Sequence, residues 1–193
     1  MYLPRWWAYD PGLFPETGKI TTATGRSLID LPVSASSKIV SRVKLTELSL
    51  YEFCHRLTVR ATDINYAGHV GNETMLGLVH EARSQFMAQL GFETIAVKNN
   101  DVGLIIADLA VNCKAEAYTH DRLEIDCQIG EIQGRSFRLF HRIRRAEQVI
   151  ALVETGLVAF DYRARNVVQL PADFLAAIEN YRTDQSRQEM EKI

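Results

Sequence analysis

Between Asp63 and Asn72 the chain reads DINYAGHVGN, which gathers a carboxylate (Asp63), an amide (Asn65) and an imidazole (His69) in one short segment. Gly68 and Gly71 let the backbone approach a ligand closely. The next residues, ETMLGLVHEARSQFMAQL, carry apolar side chains at helical spacing, so the segment ends at a helix N-terminus. Val70, Gly71 and Asn72 would present backbone N–H groups there, and the helix dipole favours negative charge. Acyl transfer to water, thioester cleavage included, needs an oxygen stabilised as it becomes negative. It also needs a water that is oriented and deprotonated. The segment offers both.

Each residue also has a plainer role. Asp63 can cap the turn through loop amides. His69, whose side chain type titrates nearest neutrality, can serve as the proton carrier or only bond the loop backbone. Asn65 can hold a water or donate to a carbonyl oxygen, but it cannot act as a general base. His80 and Glu81 are adjacent on the helix and cannot face the same way, so one of them points at a pocket or both form a polar pair near a subunit contact. Arg83 reads as one half of a surface or interface ion pair.

These residues need elements to position them. FCHRLTVRAT, ahead of the loop, reads as a strand with Leu57 and Val59 on one face. The following helix carries Met75, Val79, Ala82, Phe86 and Leu90 at helical spacing, with Leu76, Leu78 and Met87 beside them. So wide a stripe predicts a largely buried helix. Asn72 is the expected N-cap and Gly91 the expected stop. Four strand patterns follow: LAVNCKAEAY, RLEIDCQIGEI, SFRLFHRIRR and VIALVETGLVAFDY, with turns at YTHD, Gln133-Gly134 and Ala146–Gln148. Pro171 opens a short terminal helix, and TDQSRQEMEKI is expected to fray. The reading is an α+β fold: a sheet of about five antiparallel strands with one apolar helix on one face. Such a sheet leaves edges and apolar surface exposed, which pairing with a second copy would cover.

Residues 1–50 differ. Four of the five prolines lie there, with runs such as TTATGRS and SASSK, so this stretch is expected to be a partly irregular extension. Trp6 and Trp7 would anchor it to an apolar surface or contact a partner. The division is therefore 1–50 extension, 51–172 core domain and 173–193 terminal helix and tail. The 193-residue chain is 47% hydrophobic and 24% charged with a formal net charge of −2, which gives no electrostatic case for nucleic acid or an anionic membrane. No apolar run is long enough to span a bilayer, and the N-terminus lacks the apolar stretch of a secretory signal. A cytoplasmic location is the default expectation. Cys54, Cys113 and Cys127 are widely spaced with no CxxC pair, so they are expected to be buried thiols, and no metal or other cofactor is expected. Arg138, Arg142 and Arg144 lie on one strand face, which reads as a solvated surface or as a contact for coenzyme A phosphates.

The run TDINYAGHVGN (Thr62 to Asn72), followed by a helix containing Glu81-Ala82-Arg83, resembles acyl-CoA thioesterases related to 4-hydroxybenzoyl-CoA thioesterase. The family pattern is D-x-D-x-x-G-H-V-N-N, then a helix with a Glu and an A-R pair. AYTHDRLEI (Ala117 to Ile125) resembles the family's turn and strand, and LVAFD (Leu157 to Asp161), running on to Leu170-Pro171, its last strand. The resemblance covers about residues 52–172. It implies a hotdog fold, a curved sheet wrapped around one buried helix, and a homodimer or homotetramer. It also implies hydrolysis of acyl-CoA or another acyl thioester, with Asp63, Asn65, His69 and Glu81 catalytic and Gly68, Val70, Gly71, Asn72 and His80 against the substrate. This chain departs from the pattern in three places: Asn65 stands at the second aspartate, Gly71 at the first asparagine, and the helical glutamate aligns with His80, one step before Glu81. Two competing readings remain: an enoyl-CoA hydratase of the same fold, whose D-x-N-x-x-H pattern is approached by Asp63, Asn65 and His69, and a non-catalytic module that binds acyl thioesters.

Overall fold

The computed structural model describes residues 43–92 and 102–190. Trp6, Trp7 and most of the expected extension lie outside the described residues. Strand β1 (Phe53–Thr58) leads through a 3-10 turn (Ala61–Asp63) into helix α1 (Asn72–Gln89). Strands β2 (Val102–Cys113), β3 (Arg122–Gln133), β4 (Ser136–Arg145) and β5 (Gln148–Asp161) follow, then the two-residue β6 (Asn166–Val167) and helix α2 (Ala172–Met190). The sheet order is β1-β3-β4-β5-β2, with every pair antiparallel and β6 beside β5. Register shifts in the β2–β5, β3–β4 and β4–β5 pairs add the twist that lets a sheet curl. This is the expected hotdog arrangement.

The alternation of β3 puts Leu123, Ile125, Cys127 and Ile129 on the core face as expected, and β4 adds Phe137, Leu139 and Ile143 beside them, all buried. Against them α1 lays Met75, Leu78, Val79, Ala82, Phe86 and Met87. The opposite face of α1, with Gly77, His80, Glu81 and Gln85, is exposed in the protomer, so the helix is half-buried where a largely buried one was expected. Its N-cap is Gly71, one residue before the expected Asn72, and no side chain caps it. Gly91 ends it with φ +84, a conformation glycine reaches without strain.

Two segments extend further than their sequence patterns suggested. β2 begins at Val102, seven residues before the expected Leu109, because VGLIIA is apolar on both faces and shows no alternation. The register shift between Ile106 and Asp108 then resets the phase. Helix α2 continues to Met190 through the expected frayed tail. Phe174 and Ile178 are buried, the Tyr181 hydroxyl donates to the Glu52 carbonyl (2.9 Å), and Arg182 Nε donates to the Glu52 carboxylate (2.8 Å). Those tertiary anchors hold a helix whose own last turns are polar.

Residues 43–52 cross the outer face of the sheet without regular structure. The Leu45 N–H donates to Asn112 Oδ1 on β2 (2.7 Å), and Arg142 on β4 pairs with Glu47 and stacks over the Tyr51 ring at 4.4 Å. The arginine row is not free for phosphate: Arg138 pairs with Asp108 and Glu154, Arg142 with Asp126, and Arg144 with Asp126 and Glu124. Only Cys127 of the three thiols is buried. Cys54 is half-buried and Cys113 is exposed, because Cys113 ends an edge strand.

Two kinds of group couple this core to pH. Burial works against the Asp126 carboxylate, but hydrogen bonds from Arg144 and Arg142 outweigh it and hold its pKa below the ordinary value. Burial, with the nearby Arg83 charge, lowers His141 from 6.5 to about 3. For Asp126 the stabilisation is present above the unfolded carboxylate pKa and is lost as pH falls through the lower folded one. For His141 the unfolded chain takes up a proton that the folded chain refuses between 6.5 and about 3, so stability declines as pH falls through that window. The melting temperature should therefore drop from pH 7 to pH 5, before carboxylates protonate. His141→Gln should flatten that limb, and an unchanged slope in the variant would refute the assignment to His141.

Candidate active site

The loop ahead of α1 is folded by its own polar groups. Asp63 is buried, with Oδ2 accepting the Arg60 backbone N–H at 2.8 Å and Oδ1 the Arg60 guanidinium at 3.0 Å. Burial tends to raise its pKa, but the Arg60 hydrogen bonds prevail and keep it below the ordinary carboxylate range. A carboxylate so engaged is a weak base, and its geometry is that of a turn cap. Asn65 accepts the Ala67 N–H on Oδ1 (2.9 Å) while its own N–H donates to the His69 carbonyl (2.9 Å), and Gly68 closes the turn at φ +84. Among the described residues the Asn65 Nδ2 donors have no partner. His69 is half-buried, with Nδ1 3.5 Å from Glu116 Oε1. That carboxylate favours the tautomer with the proton on Nδ1, which leaves Nε2 as an acceptor.

At the helix start the expected donors divide. Val70 is buried and its N–H donates to the Ala117 carbonyl at 2.9 Å, so Val70 serves as a loop anchor and not as a donor to substrate. Gly71, Asn72, Glu73 and Thr74 keep the amides that no intrahelical carbonyl reaches. The Glu73 carboxylate leans over Gly71: a Cβ built there would stand 2.7 Å from Glu73 Oε1. Glycine thus makes room for an acid at the positive end of the helix.

Two open clefts of about 450 Å³ flank α1. One, toward β1, brings Asp63 and Glu81 together with His55, Thr58 and Thr74. The other, toward β2, β4 and β5, holds His80 and Arg83. Gly77, without a side chain, borders both. The four expected catalytic residues therefore do not form one cluster in the protomer: Asp63 and Glu81 share a cleft, while Asn65 and His69 share the loop. Glu81 accepts a hydrogen bond from Gln85 (2.8 Å), and His80 Nδ1 lies 3.1 Å from the Arg83 guanidinium. Asp63 and His69 form no pair with each other among the described residues: Asp63 is held by Arg60, and His69 lies beside Glu116.

Arg60, Glu116 and His141 were not singled out from the sequence as site residues. Arg60 is local and legible in retrospect, a basic residue three before an aspartate. Glu116 reaches His69 only through the tertiary fold and leaves no local signal.

Residues 59–178 match the family model described as the thioesterase-like superfamily. The chain is similar to a 1,4-dihydroxy-2-naphthoyl-CoA hydrolase of Nostoc punctiforme, 28% identical over 136 residues that cover 68% of this chain and 90% of the relative. Among solved structures it resembles a 1,4-dihydroxy-2-naphthoyl-CoA thioesterase from Synechocystis, with TM-score 0.59 and 24% identity over 65% of this chain and 94% of that one. It also resembles a gentisyl-coenzyme A thioesterase, with TM-score 0.58 and 25% identity over 63% of this chain and 98% of that one.

Proposed function

This chain belongs to the thioesterase-like superfamily, and from that premise we propose that it hydrolyses the coenzyme A thioester of a hydroxylated aromatic acid. The reading rests first on an uncapped helix start standing beside a loop that holds a free amide donor and a carboxylate-backed imidazole. The thioester carbonyl oxygen would lie against the amides of Gly71 and Asn72 with Glu73 swung aside. The Asn65 Nδ2 group would orient a water. His69 Nε2 would take the water's proton as its oxygen bonds the carbonyl carbon and the C=O electron pair moves onto oxygen. Collapse of the tetrahedral adduct would re-form C=O, break C–S and send the proton from His69 to the departing thiolate. The products are acid and thiol, and atoms balance with water alone. In this scheme Asp63 is a positioning residue that fixes the turn, and Glu81 is the alternative base from the cleft it shares with Asp63.

The named substrates of the relatives support an aromatic acyl group, and the lengths matched support a whole catalytic domain. The reading includes a homodimer or homotetramer in the cytoplasm. The long edge strand β2, whose outer side carries no further strand among the described residues, favours a second copy, and three free cysteines suit a reducing compartment.

Purified protein should release thiol from 1,4-dihydroxy-2-naphthoyl-CoA or gentisyl-CoA with kcat/KM of at least roughly 10⁴ M⁻¹s⁻¹, and should act more slowly on aliphatic acyl-CoAs. Absence of thiol release from every thioester of the panel would overturn the hydrolase reading, and tight binding without turnover would point to an acyl-thioester-binding module.

A further inference from the structure

The cleft between α1 and strands β2, β4 and β5 is walled by Leu76, Val79, Ile106 and Leu109, yet it contains a cation and a buried imidazole. Arg83 is half-buried, and its recorded partner is a neutral acceptor, His80 Nδ1 at 3.1 Å. Among the described residues, every other half-buried arginine (Arg138, Arg142, Arg144, Arg145 and Arg182) has a carboxylate partner, and Arg83 has none. His141 is 1% exposed and lines the same cleft. Its Nδ1 lies 3.3 Å from Cys127 Sγ, and its Nε2 has no hydrogen-bond partner among the described residues. A half-buried charge without a counter-charge and an orphaned buried nitrogen are both costly when left unpaired. Gathered in one apolar cleft, they describe the complement of an apolar group that ends in an acidic oxygen.

Resting on the thioesterase reading above, we propose that this cleft receives the acyl group of the substrate, and that the acyl group carries a second, anionic oxygen remote from the thioester, paired with Arg83 and reached by His141 Nε2. The dimensions agree. Asn72 and Arg83 are about three helical turns apart, roughly 16 Å at 1.5 Å per residue. Helical side chains lean toward the N-terminus, as Arg83 does in touching His80, which shortens the gap to on the order of 10 Å. A fused or extended acyl skeleton bridges that distance, and Gly77 leaves the path along α1 open.

The test uses an isosteric pair, 6-carboxy-2-naphthoyl-CoA and 6-carbamoyl-2-naphthoyl-CoA, as thioesters for turnover and as non-hydrolysable thioethers for calorimetric binding. The wild-type protein should favour the carboxylate of each pair by about 10- to 100-fold, the range of one charge-assisted hydrogen bond. Arg83→Gln should bring the ratio to near 1, and Arg83→Lys should keep part of it. Equal binding of the two thioethers by the wild type, or a ratio unchanged in Arg83→Gln, overturns the inference, and the first of these needs no variant to fold. Hydrolysis of both thioesters without preference leaves the thioesterase reading standing and this one refuted. An Arg83-dependent binding preference without turnover does the reverse.

Discussion

Replacing His69 with alanine should lower kcat/KM toward the best thioester by on the order of 10²–10³-fold while the melting temperature changes little. That lies within the range of a positioned general base. His69 is half-buried on a surface loop, so truncation opens no core cavity. The loop hairpin is held instead by backbone bonds at Asn65, Gly68 and Val70. His69→Gln, which can still hydrogen-bond but cannot take a proton at neutral pH, should lose as much as the alanine variant. Glu116→Gln should lose less, because the imidazole keeps its acceptor nitrogen but not the carboxylate that favours that tautomer. Equal activity of His69→Ala and the wild type would move the base to Glu81, whose conversion to Gln should then be the more damaging change.

Phe86→Ala should be the most destabilising single substitution in α1. Phe86 is fully buried, stacks on Phe53 of β1 with ring centroids 4.8 Å apart and planes 6° from parallel, and receives the edge of Tyr181 from α2 at 5.5 Å. Its removal empties a site where three elements meet. Large aromatic truncations of this kind cost about 3–5 kcal/mol, to be set against about 5–15 kcal/mol for a whole domain. Urea denaturation should show a lower midpoint at an unchanged slope. Phe160→Ala, at a half-buried ring on β5, should cost clearly less. If the two variants were equally stable, α1 would not be seated by that aromatic cluster.

Most of the frame was legible because it is written in local periods. Alternation located β3, turn residues set off β4 and β5, helical spacing located α1, and Gly91 and Gly134 mark positive-φ positions where chain direction changes. The pattern failed where both faces of a strand are apolar, as at Val102–Ile106, and where a helix is held from outside, as α2 is by Glu52. The candidate site was half legible. Asp63, Asn65 and His69 could be picked out by type and spacing. Their partners could not, because Glu116 and Ala117 meet the loop only after β2 has turned back toward β3. The fate of Val70 follows from the same contact: its N–H was counted as free until the Ala117 carbonyl was brought within 2.9 Å.

The two borders of the sheet differ in their capacity to grow. Past the end of the six-residue β1, the Ile129 N–H of β3 donates to the Glu52 side chain and the Ile129 carbonyl accepts from Arg182. Those side chains occupy the positions that the backbone of an incoming chain would otherwise take. The opposite border offers the twelve residues of β2. One long open margin and one short, blunted one would let two copies pair edge to edge once and would then stop further growth. The Glu52–Arg182 ion pair would suppress lateral polymerisation into ribbons, and Glu52→Ala should be the change that permits it.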